Sequence, residues 1–206
     1  MLFRSGGLYV PSCTVVPPAN TLWFNLIKVP CTPYDPSDAR KLVAASGIPN
    51  PTVHLMVRST TDRLSIAQFI QAEEAAVGID VVLDVTDNVT ELARRTSGSY
   101  DADVISSGTV PGTPGASFDN RFTSGGVVNQ SGYSNPRMDF VLANGDKATQ
   151  PKARAVYYRV AQQLVHDVRP IIVLYDAVTF AAYSTKVTGI ELTDGGLLIV
   201  RNARLT

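Results

Sequence analysis

From Tyr34 onward the apolar positions of the chain switch repeatedly between two periods. Asp35-Pro36 supplies an N-cap and a first-turn proline ahead of Ala39, Leu42, Val43 and Ser46, which share a helical face, and Gly47 stops that helix. Thr52–Arg58 has period two, with Val53, Leu55 and Val57 on one side, and predicts a strand. Arg63–Val77 returns to helical spacing through Ile66, Phe69, Ile70, Glu73 and Val77, and Gly78 closes it. Ile79–Val85 predicts a second strand, Val89–Thr96 a short helix ended by Ser97-Gly98, and Ala102–Ser106 a third strand. Strands alternating with helices require crossover connections, so the fold class is α/β with a mostly parallel sheet flanked by helices. Ligands of such sheets sit outside the carboxyl ends of the strands. The third predicted strand opens there into Ser107–Ser117, SGTVPGTPGAS, a polar loop dense in Gly and Pro.

The remaining pattern is less regular. Asn135-Pro136 starts a helix through Met138, Val141 and Leu142. Gln150–Asp167 predicts the longest helix, with Ala153, Val156, Tyr157, Val160, Ala161, Leu164 and Val165 at helical spacing and Arg169-Pro170 ending it. Ile171–Tyr175 reads as a buried strand by composition, and Phe180–Tyr183, Val187–Leu192 and Leu197–Val200 as short strands. Thr193-Asp194-Gly195-Gly196 gives a hairpin signal between the last two. Residues 1–34 are Pro-rich and lack periodicity, yet carry Leu22, Trp23, Phe24, Leu26 and Ile27, so they read as an extended arm that must lie on something. Cys13 and Cys31 fall in this arm. Two readings stand: a disulfide closing a small loop, or two unpaired thiols; their spacing is not that of a metal site.

Composition and charge remove function classes without adding one. The chain has 206 residues, and 18 Lys plus Arg balance 18 Asp plus Glu. Zero net charge gives no electrostatic footprint for nucleic acid or an anionic membrane surface. No apolar run approaches the roughly 20 residues that span a bilayer. The Gly-x-Ser-x-Gly elbow is absent, Gly115-Ala116-Ser117 being the nearest match. His54 lies within a predicted strand and His166 near a helix C-terminus, where the dipole favours a cation. Gly108–Gly115 lacks the Gly-Lys-Ser/Thr of a phosphate loop, and no His or Cys cluster exists to hold a metal. Asp84, Asp87, Asp101 and Asp103 read as solvated strand ends, and Arg94-Arg95 as the last turn of a helix. No catalytic residue, cofactor or metal is expected.

The order of motifs says more than any one of them. Tyr34-Asp35-Pro36 is followed by Ala39-Arg40-x-Leu42 and Ala45-x-Gly47, then by Ala67-Gln68-Phe69-Ile70-Gln71, Val77–Val81 (VGIDV) and Gly98–Asp103 (GSYDAD). Asn129–Asp139 (NQSGYSNPRMD) and a helix beginning Ala153-Arg154 and reaching Tyr158 complete the series. This resembles the C-terminal lobe of the family 5 extracellular solute-binding proteins, the peptide, nickel and opine receptors of ABC importers. The resemblance covers nearly all of the chain from about Gly7; Met1–Ser5 lies outside it, and Leu-Phe-Arg-Ser is also what a translated sequencing adapter reads in one frame.

The resemblance implies a periplasmic-binding-protein-like lobe of a longer, two-lobed protein whose first lobe and leader are not in this sequence. Three parts follow: residues 1–34 as an arm on the lobe, 35–186 as the ligand-binding lobe, and 187–206 as strands returning toward the first lobe. The whole protein is expected at the periplasmic or extracellular face of the cell envelope, secreted or lipid-anchored. It would capture a small molecule or peptide and pass it to an ABC-importer permease, with no nucleic-acid partner and no membrane insertion of this segment. Ligand contacts carried over from the family fall on Ser106, Ser107, Thr109 and Thr113, then Asn129 and Tyr133. The loop departs from many peptide-binding relatives in lacking an Asp and a Trp, so a cationic ligand end has no such anchor there. Two other readings stay open from the residues alone: an autonomous hydrolase-like α/β enzyme using Ser106–Ser117, and an interaction module using the Pro-rich arm.

Overall fold

The computed structural model describes residues 9–106, 114–177, 180–193 and 197–206. In chain order the elements are β1 (Tyr9–Pro11), α1 (Thr21–Ile27), α2 (Pro36–Ala45), β2 (Thr52–Arg58), α3 (Thr61–Ala75), β3 (Asp80–Thr86), α4 (Asn88–Ser97) and β4 (Ala102–Val104). After them come α5 (Gly115–Phe122), α6 (Pro136–Lys147), α7 (Pro151–Val168), β5 (Tyr175–Ala177), β6 (Val187–Thr188), β7 (Glu191–Leu192), β8 (Leu198–Ile199) and β9 (Arg204–Leu205). They fall into two compact units: a sheet unit, Thr32–Ser107, and a helical unit, Met1–Cys31 with Gly108–Thr206. This division differs from the arm, lobe and tail boundaries that the resemblance implies, because the Pro-rich segment packs with helices more than a hundred residues further along.

In the sheet unit, β2 lies at the centre, parallel to β3 on one side and β4 on the other, in the order β3-β2-β4. The local signals act as read. The Asp35 carboxylate accepts from the Asp38 amide at 2.9 Å. Asp87, expected as a solvated strand end, instead caps α4 by accepting from Val89 and Thr90 at 2.8 and 2.9 Å. Gly98 ends α4 in the left-handed conformation at φ 70°. The connection from β2 to β3 moves to one side and that from β3 to β4 moves back past β2. Right-handed crossovers therefore place α3 and α4 on opposite faces of the sheet. Helix α2 buries none of its residues, and Leu42, on its predicted inner face, is 64% exposed.

In the helical unit the apolar cluster joins α1, α5, α6 and α7. Trp23 and Ile27 come from α1, Phe118 and Phe122 from α5, Met138, Val141 and Leu142 from α6, and Ala155, Tyr158, Ala161 and Val165 from α7. The buried stripe of α7 runs 155-158-161-162-165, so the face is turned slightly from the predicted one: Tyr157, Val160 and Leu164 flank the core and Val156 points outward. Gln162 is fully buried, and its side-chain oxygen accepts the Val15 amide at 2.9 Å, tying the N-terminal segment to α7. Cys13 and Cys31 form a disulfide around α1, which stabilises a loop of this size by about 3 kcal/mol.

Four expectations about elements change. Residues 21–27 form helix α1 inside the arm, because Trp23 and Ile27, four residues apart, both reach the core. The polar loop ends at Gly115 in helix α5, whose Phe118 and Phe122 are likewise one turn apart and fully buried. The strand expected at 171–175 is displaced to Tyr175–Ala177, where β1 pairs with it antiparallel, and Ile172 is 72% exposed. Residues 180–183 form no strand, and Phe180 and Tyr183 are exposed. The short pairs β6–β9 and β7–β8 are antiparallel; the expected turn residues 194–196 between β7 and β8 lie outside the described residues.

Candidate functional site

The carboxyl ends of β2, β3 and β4 gather a set of charged side chains that the linear sequence scatters. Glu91, one turn into α4, is fully buried. Its carboxylate is held on one oxygen by Arg58 at the end of β2, whose Nε donates at 2.5 Å, and on the other by Arg63 of α3, whose Nη1 donates at 2.9 Å. The second terminal nitrogen of Arg63 donates to the Ser106 hydroxyl at 3.2 Å, just past the end of β4. A continuous chain Arg58–Glu91–Arg63–Ser106 therefore spans the edge at which an α/β sheet receives ligands. Both ends of the bonded carboxylate are satisfied by bidentate-capable guanidinium groups, which fixes the geometry and leaves one excess positive charge in the triad.

Two further pairs lie on the same side of the sheet as Glu91. Asp103 and Asp84 both stand in register with Met56, from the two neighbouring strands. Arg95 lies 3.5 Å from the Asp103 carboxylate, and Arg94 lies 2.9 Å from that of Asp84. The Asp103 side chain is only 3% exposed; its burial, reinforced by the negative charge of Glu91, pushes its carboxyl up to about 6. Asp103 is therefore not a solvated strand end as its sequence position suggests. Toward the opposite end of the strands an open cleft of about 400 Å³ is lined by His54, Asp84, Arg94, Gly98, Ser99, Tyr100 and Asp101. The Asp101 carboxylate there accepts the His54 backbone amide at 3.0 Å.

The residues expected to touch ligand are distributed as follows. Ser106 is exposed and held by Arg63. Ser107, Thr109 and Thr113 lie outside the described residues. Asn129 and Tyr133 belong to the helical unit. The Asn129 side-chain nitrogen donates to the carbonyls of Thr123 and Tyr133 at 3.1 and 2.6 Å. Its oxygen accepts the Tyr133 amide and the Ser131 hydroxyl, both at 3.2 Å. All four hydrogen-bonding positions of the amide thus close the segment 123–133 on itself. The Tyr133 ring is buried edge-on against Phe122, with centroids 6.3 Å apart, and burial pushes its hydroxyl pKa up.

Arg58, Arg63 and Glu91 were not among the residues singled out from sequence. A usable signal exists. Arg58 lies two positions after Met56 on one strand face, and Glu91 precedes Arg94-Arg95 on a nearby helix, so a base and an acid stand on elements that the α/β alternation packs together.

A three-stranded parallel sheet with helices on both faces, followed by a helical unit with short antiparallel strands, places the chain in the periplasmic-binding-protein fold. HbpA2 from Haemophilus parasuis superposes with a TM-score of 0.80 at 19% identity, covering 98% of this chain and 41% of that one. The dipeptide-binding protein from Pseudoalteromonas sp. SM9913 in complex with Met-Leu gives a TM-score of 0.80 at 22% identity, covering 98% and 41%. The family model of the bacterial extracellular solute-binding proteins, family 5 Middle, matches residues 4–129, and the chain belongs to that family. The peptide transport periplasmic protein SapA of Salmonella typhimurium is 26% identical over 193 residues, covering 90% of this chain and 35% of its own. Heme-binding protein A of Haemophilus influenzae is 26% identical over 177 residues, covering 82% and 32%. The chain spans about a third of the length of the curated relatives it matches.

Proposed function

We propose that the chain is the C-terminal lobe of an ABC-importer solute-binding protein and supplies part of the surface that captures a small solute, an oligopeptide or a molecule of similar size. The observation that carries this reading is the family match over residues 4–129, which includes both Ser106 and the loop that follows it. The names of relatives support the substrate class: they include a peptide transport protein, a probable di/tripeptide-binding protein and a glutathione-binding protein. In this reading Ser106, Ser107, Thr109 and Thr113 offer hydroxyls and backbone groups to the ligand, and Arg63 sets where that loop begins. Asn129 and Tyr133 contribute by fixing the shape of the segment from 123 to 133. The action is binding and hand-over to a permease, without turnover. The disulfide between Cys13 and Cys31 favours an oxidising compartment, in keeping with the periplasmic or extracellular face of the envelope.

The test is a thermal-shift and calorimetric screen of the complete gene product and of the 206-residue chain against di- to pentapeptides, glutathione, haem and nickel–histidine complexes. One ligand class is expected to raise the melting temperature of the complete product, with a smaller shift or none for the chain alone. Chemical conversion of any of these compounds by either protein overturns the reading, as does stabilisation of neither.

A further inference from the structure

Helices α5, α6 and α7 meet at a cluster of three oxygens that the ligand-binding reading does not use. Tyr158 of α7 is fully buried, and its ring is pinned: Phe118 lies 5.6 Å away between centroids, and a Cβ at Gly145 would meet the ring at 2.7 Å. The hydroxyl therefore cannot swing aside. It lies 2.7 Å from Asp146 Oδ1 on α6 and 3.3 Å from Asp119 Oδ1 on α5. The first residue of α5 sits directly on this group: a Cβ at Gly115 would come within 2.6 Å of the Asp119 carboxylate and 2.7 Å of both the Asp146 carboxylate and the Tyr158 hydroxyl.

Proton counting then decides the chemistry. A phenol carries one hydrogen and can donate to one carboxylate at a time. The short bond identifies Asp146 as its acceptor. If Asp119 were ionised it would face the second carboxylate and the lone pairs of the hydroxyl, in a half-buried pocket, with no other donor to it among the described residues. The other charged group in the pocket, Arg154 of α7, is turned to the backbone at the end of α6. Its Nε donates to the Gly145 and Ala148 carbonyls at 3.1 and 3.0 Å, and its Nη2 to the Asp146 carbonyl at 3.0 Å. We propose that Asp119 keeps a proton near neutral pH and that this proton latches α5 onto α6 and α7, so that mild alkalinity loosens the helix immediately following the polar loop.

The electrostatics run the same way: burial first, then the Asp146 charge, raise the Asp119 carboxyl to about 7, and the same surroundings push the Tyr158 hydroxyl up as well. Because the folded-state pKa exceeds the unfolded one, the latch stabilises fully below the unfolded value and is lost as pH rises through about 7.

The experiment is thermal unfolding of the 206-residue chain from pH 5.5 to 8.5, paired with amide hydrogen exchange of residues 118–122 at the two ends of that range. Wild type is expected to lose about 4 °C more than Asp119→Asn across the range, because an amide donates at every pH. Protection factors of α5 are expected to fall about tenfold in wild type and to hold in the variant. Equal pH slopes and equal protection in both overturn the proposal. Should Asp119→Asn fail to fold, the assigned side-chain carboxyl carbon of Asp119 in wild type decides: titration near neutrality supports the latch, and titration below pH 5 with ordinary carboxylates overturns it.

Discussion

Under α3 the central sheet presents Leu55, Val57, Val81 and Val104, covered by Ile66 and Ala67. Under α4 it presents Met56, Arg58, Asp84 and Asp103, covered by Glu91, Arg94 and Arg95. One face is held by apolar burial, which tolerates small shifts of the helix because it has no preferred direction. The other is held by charged pairs, one from each strand, Arg58 with Glu91, Asp84 with Arg94 and Asp103 with Arg95, which fix the helix in one register. The difference places the rigid, oriented side of the sheet against α4 and the Arg63–Ser106 bond at its rim.

The sharpest way to break this contrast is Glu91→Ala. It leaves Arg58 and Arg63 without their buried counter-charge and is expected to cost about 4 kcal/mol of stability by chemical denaturation. Leu55→Ala tests the apolar face; a buried leucine truncated to alanine is expected to cost about 3 kcal/mol while leaving the loop position, read by amide shifts at residues 105 and 106, unchanged. A Leu55 variant that moves those shifts as far as the Glu91 variant does would erase the distinction between the faces.

Protonation sharpens it further. Asp103 is raised in the folded state to about 6, so its contribution is complete below the unfolded pKa and lost as pH rises through about 6. Asp103→Asn should flatten the stability–pH curve between pH 4 and 7 by about 2 kcal/mol. Unchanged curvature would mean that the ionic face carries no buried carboxyl. The smallest effect is expected at the rim: Arg94 and Asp84 are part-exposed, and Arg94→Ala should cost about 0.5 kcal/mol, vanishing in 1 M salt.

The chain's own order of residues was enough to place most of the sheet unit. Asp35-Pro36, the alternation in Thr52–Arg58 and the Gly98 end of α4 act through contacts within a few residues, so they are readable locally. Ser106, which accepts from Arg63 at the sheet edge, could be singled out too, since it follows the last parallel strand. The chain Arg58–Glu91–Arg63–Ser106 was not, because its four side chains come from positions separated by 28, 33 and 43 residues and meet only after two crossovers. Asn129 and Tyr133 could be picked out from their motif, but not the way Asn129 closes the loop on itself.

In the helical unit the balance reverses. Local sequence predicts α6 from the Asn135 cap and Pro136, whose helix places Met138, Val141 and Leu142 inward. It misses α1 and α5, whose few apolar residues become a helical face only where α7 offers a surface to cover them. It also misplaces β5, since an isolated apolar run does not say where a partner strand will pair, and β1 fixes that register from the other end of the chain. Sequence alone thus determined the elements whose boundaries are set by capping, spacing and φ. Tertiary structure decided which charges are buried, which carboxyl keeps its proton and which short segments gain a partner, because those outcomes depend on dielectric and proximity between residues that only the folded chain brings together.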